Sequence, residues 1–393
     1  HSCIFPVNKS DVLISIFILN KKEIIQYVAE ARFWRAFSYD KLYHLFGTVP
    51  LVTGSQDIKN GIARASQEEM ESFIETELAD VEKVLPETYS STDYGRPTSW
   101  AVKATLSRYY LNKKDWKKAS IYAKEIIDKG GFNLVDYQDI FSKNQNDEVI
   151  LAINHIAEAN HGNKYVALVL EASIRDALGI TGVSASNGYG MAVPFFRTFD
   201  PDDKRITPYN PATGKGIAVS GIVYKSDGTP VYGTPEEPKS VEEQLSRVLT
   251  FKWEVQTNIP LGEDASLNVP ALRLGEVMLT YAEAENELGH LEEAKTYVDK
   301  IRSRAGLENL PANLNMASMR DAILDERGWE LYHEGYRRED LVRHGKLLEK
   351  VNEKYHYYFG KDMPWKNNND RILQPIPTNA LLLNPLLKQN PGY

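Results

Sequence analysis

AVKATLSRYYLNKKDWKKASIYAKEIIDKGG, residues 101–131, and EVMLTYAEAENELGHLEEAKTYVDKIRSRAG, residues 276–306, decide how this chain folds. At a constant offset of 175 residues they pair Val102 with Val277, Trp116 with Leu291, Ala119 with Ala294, Tyr122 with Tyr297, Ile126 with Ile301 and Gly131 with Gly306. Each reads as a helix, a short polar turn (KKD or GH) and a second helix whose small alanine permits close packing. This is a helical hairpin of tetratricopeptide type. More than a hundred residues of different composition separate the copies, so they predict no simple continuous solenoid in sequence.

Upstream, Ala29, Phe33, Phe37 and Leu42 recur at helical spacing until Gly47 and Pro50 end the run. Ser66 with Glu69 three residues on reads as a capping box opening a helix through Val84, stopped by Pro86. Thr98 or Ser99 caps a third helix after Pro97. Between the hairpins, ITGVSASNGYG, FDPDDKR, YNPATGKG, KSDGTP and YGTPEEP are turn signals, with short β-prone pieces at 148–153 and 222–224. The expected architecture is mostly α: a scaffold of helical hairpins with a loop-rich, partly β insertion lobe. The expected parts are residues 1–131, 132–270 and 271–393, the middle one being the lobe.

Lys and Arg total 46 against 54 Asp and Glu, a net charge of −8 with no long basic run, which argues against nucleic acid as a partner. Cys3 is the only cysteine, so no disulfide and no cysteine-based zinc site forms within one chain. VLISIFI at 12–18 is too short to span a membrane. GxSxG, HExxH and phosphate-cradling loops are absent, and the eight histidines are scattered. With 54 acidic residues, the paired carboxylates of a glycosidase carry no signal. Asp200, Asp202 and Asp203 have calcium-type oxygens, but the glycine and terminal glutamate of an EF-hand loop are missing, and a solvated turn ending in Arg205 is the plainer reading.

Six segments, in order, resemble the SusD/RagB family, the surface glycan-binding lipoproteins of Bacteroidota nutrient-uptake systems. They are EARFWRA running into FGTVPLV, GRPTSWAVKATLSRYYL with DWKKA, FDPDDKR, ALRLGEVMLTYAEAENELG, ILDERGWELYHEGYRREDLVRHG, and PIPTNALLLNP with QNPGY. Gly328 and Arg338 depart from the family's usual arginine and aromatic. The resemblance implies an oligosaccharide or polysaccharide ligand, delivery to a SusC-like TonB-dependent transporter, and a lipid-anchored place on the outer face of the outer membrane. Ser2-Cys3 fits a lipidation box poorly because of His1, so the chain is expected to begin part-way in. The motif residues Arg32, Arg35, Glu326, Glu330, Arg337 and Asp340 read as buried ion pairs linking scaffold helices rather than as a catalytic cluster.

A sugar ring presents an apolar C–H face that an aromatic plane covers while polar side chains bond its edge. Exposed loop aromatics beside polar groups are therefore the candidate ligand residues: Asn187 and Tyr189 in SNGYG first, then Tyr224, Tyr232 and Trp365. Trp253 is weaker, because Phe251 and Trp253 alternate with Lys252 and Glu254 like a half-buried strand. Each ring reads also as a loop aromatic packed on the scaffold. No cofactor, metal or enzymatic activity is expected. Peptide capture for the same kind of transporter, and a generic tetratricopeptide interaction scaffold, are the alternatives.

Overall fold

A computed structural model describes residues 20–54, 60–158, most of 160–206, 223–224, 230–232, 248, 251–254, 256 and 265–393. In chain order its elements are α1 (Lys21–Phe46), α2 (Gln67–Glu82), α3 (Ser99–Asn112), α4 (Trp116–Lys129), α5 (Tyr137–Ser142), β1 (Val149–Ile153), α6 (Tyr165–Val169), α7 (Ala172–Ala177), α8 (Val193–Phe196), β2 (Val223–Tyr224), β3 (Pro230–Tyr232), β4 (Val269–Arg273), α9 (Leu274–Glu287), α10 (Leu291–Arg304), α11 (Met316–Glu330), α12 (Arg337–Arg343), α13 (Leu347–Phe359) and α14 (Thr378–Leu383). The chain is mostly helical, with strands only as two antiparallel pairs among the described residues, β1 with β4 and β2 with β3. It packs as two units, residues up to Leu106 with Leu373–Asn390, and Ser107–Ile372 with Pro391–Tyr393.

In the first unit α1 opens on a capping box from Asn20 and Glu23, ahead of the expected start, and α2 on the expected one from Ser66 and Glu69. Ala29, Phe33 and Ala36 recur at three- and four-residue steps, as do Met70, Ile74, Leu78 and Val81, and both rows are buried where α1 meets α2. Arg32 reaches Glu77 (2.8 Å) and Asp80 (3.0 Å), and Arg35 also bonds Glu77, so these two arginines link the helices as expected. The tail is sewn to the loop after α1. The Asn384 side chain accepts from Ile62 N (3.1 Å) and donates to Ile62 O (2.8 Å), while Asn390 accepts from Arg64 (2.8 Å) and donates to Phe46 O (3.0 Å).

The repeat becomes geometry in the helices from α3, whose last turns from Ser107 belong to the second unit, to α10. α3, α4 and α9, α10 begin and end at positions that correspond residue for residue under the 175-residue offset. Within the first hairpin Tyr110 stacks on Tyr122 (5.9 Å) and Ser107 bonds Ala119 O (3.2 Å). α4 packs on α9, which also carries α10 and α11, so the copies adjoin in space despite their separation in sequence. α9 is buried from Leu274 to Asn286 as a result. Its acids consequently have partners: Glu283 holds Arg343 (2.6 and 2.7 Å) and His344 (2.9 Å), and Glu285 holds Ser120 (2.5 Å) and His290 (2.6 Å).

Candidate functional site

The buried carboxylates of the second unit hold structure together. Glu330 accepts from Arg205 (3.1 Å), Arg273 (2.5 Å) and Arg304, while Glu326 takes Arg205 (2.6 Å) and Arg302 (3.2 Å). Glu148 on the loop before β1 takes Arg273 (2.8 Å) and Arg304 (2.7 Å), and Glu334 takes Arg273 and Lys252 (both 2.7 Å). Burial alone would raise the Glu330 carboxyl, but the Arg304, Arg273 and Arg205 guanidiniums overcome it and hold it below the usual carboxylate range. Asp340 likewise bonds Arg327 (3.0 Å) and Arg343 (2.8 Å). Arg337 differs from the expectation of an ion pair: it donates to the Leu324 carbonyl (2.6 Å) and lies over the Phe195 ring. In FDPDDKR, Asp203 pairs with Arg205 (2.7 Å) inside the protein, and Asp200 caps Asp202 N (2.9 Å), so this segment is a buried-ended turn.

Tyr189 is 58% exposed. Its loop is pinned to the short helix α6: Ser186 N donates to Ala167 O (2.9 Å), and Gly188 N and Tyr189 N both donate to Leu168 O (2.7 and 3.2 Å). Glycine at 188 permits this approach, since a Cβ there would stand 3.3 Å from the Leu168 carbonyl. Met191 then pairs with Val248 as an antiparallel bridge. An exposed ring on fixed backbone is what a stacking contact needs. Asn187 lies outside the described residues. Tyr224 and Tyr232 have their backbones in β2 and β3, and their side chains also lie outside the description.

Trp253 corrects the expectation of a ligand-facing ring. It is 3% exposed, wedged between Phe141 (5.1 Å) and Tyr165 (4.2 Å), with its indole N–H donating to Asn268 O (3.3 Å). The alternation behind the half-buried strand fails because Lys252 is buried too, its ammonium bonding Glu334 and the Tyr332 and Glu330 carbonyls. Burial pushes that ammonium down to about 8, against the raising effect of Glu334. Trp365 is 39% exposed in the turn after α13. Its neighbours Lys366 and Asn367 line an open cleft of about 750 Å³ with Asn352 and Asn369.

A row of rings that sequence reasoning missed runs through this unit. Trp329 meets Phe199 (6.1 Å), Phe199 meets Phe195 (5.7 Å), and Phe195 lies nearly parallel to Tyr332 (6.1 Å, 28°). The row continues through His333 (4.3 Å) and Tyr165 (5.1 Å) to Trp253. Trp329, Phe195, Tyr332, His333 and Tyr165 are half-buried. His333 sits at φ 61° in the turn after α11, and burial, then the Lys252 charge, push its imidazole down to about 4. In the first unit an open groove of about 660 Å³ combines the Phe73 ring with Ser72, Thr76, Glu69 and Arg64.

Residues 215–393 match the profile of the SusD family, and residues 4–111 match a profile described as starch-binding associating with outer membrane. SusD-like protein P25 of Formosa agariphila is 25% identical, the match covering 95% of this chain and 75% of that one. The starch-binding protein SusD of Bacteroides thetaiotaomicron is 24% identical over 94% of this chain and 73% of its own. Among solved structures, surface glycan-binding protein A from Bacteroides uniformis superposes with a TM-score of 0.73 at 23% identity, covering 95% of this chain and 79% of that chain. Family profiles match both of its ends and SusD-like relatives align along more than nine-tenths of its length, so the chain is similar to SusD-family proteins over most of its extent.

Proposed function

We propose that this protein captures an oligosaccharide or polysaccharide at the outer face of the outer membrane and passes it, chemically unchanged, to a SusC-like TonB-dependent transporter. The relatives named for starch and surface-glycan binding support the ligand class. The observation that carries the reading within this chain is Tyr189, an exposed ring on a loop whose backbone is bonded to α6. We assign the ligand surface to the lobe at 132–270, with Asn187, Tyr224 and Tyr232 as further contacts and Trp365 as a separate exposed ring outside it. The proposed chemistry is binding without turnover, and the arginine-paired acids Glu326 and Glu330 serve the scaffold.

One stacked ring contributes about 1 kcal/mol, so capture in the micromolar to millimolar range requires several contacts together. Native electrophoresis through gels containing neutral and acidic polysaccharides, with Tyr189→Ala run alongside, tests this. Retardation by one polysaccharide that weakens in the variant is the expected result. Retardation indifferent to the variant moves the site out of this loop, and no retardation in any gel sinks the glycan reading in favour of peptide capture. Co-purification of the tagged chain with a TonB-dependent barrel from solubilised outer membranes tests the hand-over.

A further inference from the structure

A cavity of about 250 Å³ lies between α8, α11, α12 and α13, lined by Ala192, Pro194, Phe195, Leu341 and Val351 with Arg337, Lys350, Lys354, Asp325 and Glu353. It is smaller than a typical drug-sized pocket and holds a single sugar unit or substituent. Phe195 belongs to the row of rings, so the cavity opens beside an aromatic surface.

Arg337 is the group that gives it character. Arg205, Arg273, Arg304, Arg327 and Arg343 each hold two or more carboxylates, whereas no carboxylate among the described residues lies within ion-pair distance of Arg337. Its guanidinium is half-buried, donates to the Leu324 carbonyl (2.6 Å), and covers the Phe195 ring at 5.3 Å. Gly328 leaves it that space: a Cβ there would stand 2.7 Å from Arg337 Nη1. Burial lowers the Arg337 pKa, the signature of a cation whose lost water is incompletely replaced. Of the other charges on the walls, Glu353 is already bonded to Lys350 (2.8 Å), leaving Arg337 and the exposed Lys354 facing Asp325.

We propose that this cavity receives the anionic substituent, carboxylate or sulfate ester, of an acidic sugar whose ring lies against Phe195, with Arg337 bonding the anion and Lys354 adding charge at the mouth. This rests on the glycan reading above and narrows it to acidic glycans. A planar guanidinium over an aromatic face suits a two-oxygen anion, and the apolar walls suit the sugar's C–H surface.

The test is affinity electrophoresis and calorimetry of the whole chain with polygalacturonate, chondroitin sulfate, and neutral galactan and laminarin. An acidic polysaccharide is expected to bind, with affinity falling as salt rises. Arg337→Gln and Lys354→Gln are each expected to weaken it by about tenfold and severalfold respectively, with Arg337→Lys recovering part of the loss. Lys354 is exposed, so its variant keeps the test free of folding effects. Whether galacturonate or sulfate binds separates the two anions. Binding of neutral polysaccharide alone, or acidic binding indifferent to both Gln variants, overturns this inference and leaves the glycan reading standing. Absence of binding to all four overturns both.

Discussion

Lys114 and Gly289 stand at the same point of the two hairpins, and both adopt a left-handed backbone, with φ of 62° and 90°. Each closes its turn in the same way: Asp115 N bonds Tyr110 O, and His290 N bonds Glu285 O, both at 2.9 Å. A side chain in this conformation costs about 1 kcal/mol relative to glycine. Lys114→Gly is therefore expected to stabilise the protein by roughly 0.5–1 kcal/mol, and Gly289→Ala to destabilise it by about 1 kcal/mol. Urea midpoints measure both, and a destabilised Lys114→Gly would contradict the equivalence of the turns.

Glu330 bridges three guanidiniums at a position with no exposed surface. Glu330→Gln leaves this buried network one negative charge short, although each arginine keeps another carboxylate, and is expected to cost about 3–5 kcal/mol, read as a large loss of Tm or of soluble protein. Gly275→Ala attacks the same network sterically, since a Cβ there meets Arg273 Nη1 and stands 2.9 Å from Glu148 Oε1 and 3.1 Å from Glu330 Oε1. It is expected to destabilise by a similar amount.

Acid should weaken the fold through these carboxyls. Burial opposes ionisation of Glu283 and Glu330, but their arginine neighbours overcome it and depress both values, so the folded state holds these protons less tightly than the unfolded chain. Their contribution is complete above the ordinary value of 4.5 and declines as pH falls below it toward the depressed folded values. Thermal melts from pH 7 to 3 are expected to be level in this respect down to about pH 5 and to drop beneath it.

His333 acts in a different window. Its folded value of about 4 lies below the ordinary 6.5, so between these values the unfolded chain binds the proton and the folded protein does not. Stability from this group thus falls as pH drops from 6.5 toward 4, by about 1 kcal/mol at pH 5 once partial exposure is discounted. His333→Asn suits the positive φ and removes the titration. Its Tm is expected to change less than wild type's between pH 7 and 5.

Trp253 and Tyr189 separate packing from binding. Trp253→Ala is expected to cost about 3–5 kcal/mol, because the ring is enclosed by Phe141 and Tyr165. Tyr189→Ala is expected to leave the urea midpoint within about 0.5 kcal/mol while weakening polysaccharide binding about fivefold.

Helical periodicity, the Ser66 cap and the repeated hairpin were legible because each is a local pattern with a fixed spacing. The capping box at Asn20 was legible in principle, as an Asn with Glu three residues on, but lay ahead of the apolar repeat that marked the helix. The charge hub was legible only in part. Glu326 and Glu330 announce themselves on one helix, whereas Arg205, Glu148 and Arg273 come from a turn, a loop and a strand, and no spacing connects them. The row of rings hides for the same reason, since residues 165, 195, 199, 329, 332 and 333 share a line only after folding. Alternation points Trp253 to the buried side, where it lies, but not Lys252, which is buried as well and satisfied by Glu334.

The stitches from Asn384 to Ile62 and from Asn390 to Arg64 join positions 322 and 326 residues apart. A chain made from its amino end at roughly 5–20 residues per second must therefore hold the α1–α2 hairpin unfinished for tens of seconds until its partner emerges. Completion of this hairpin is timed by residues 384–390, and a product cut short before Asn384 would leave Ile62 and Arg64 without these partners.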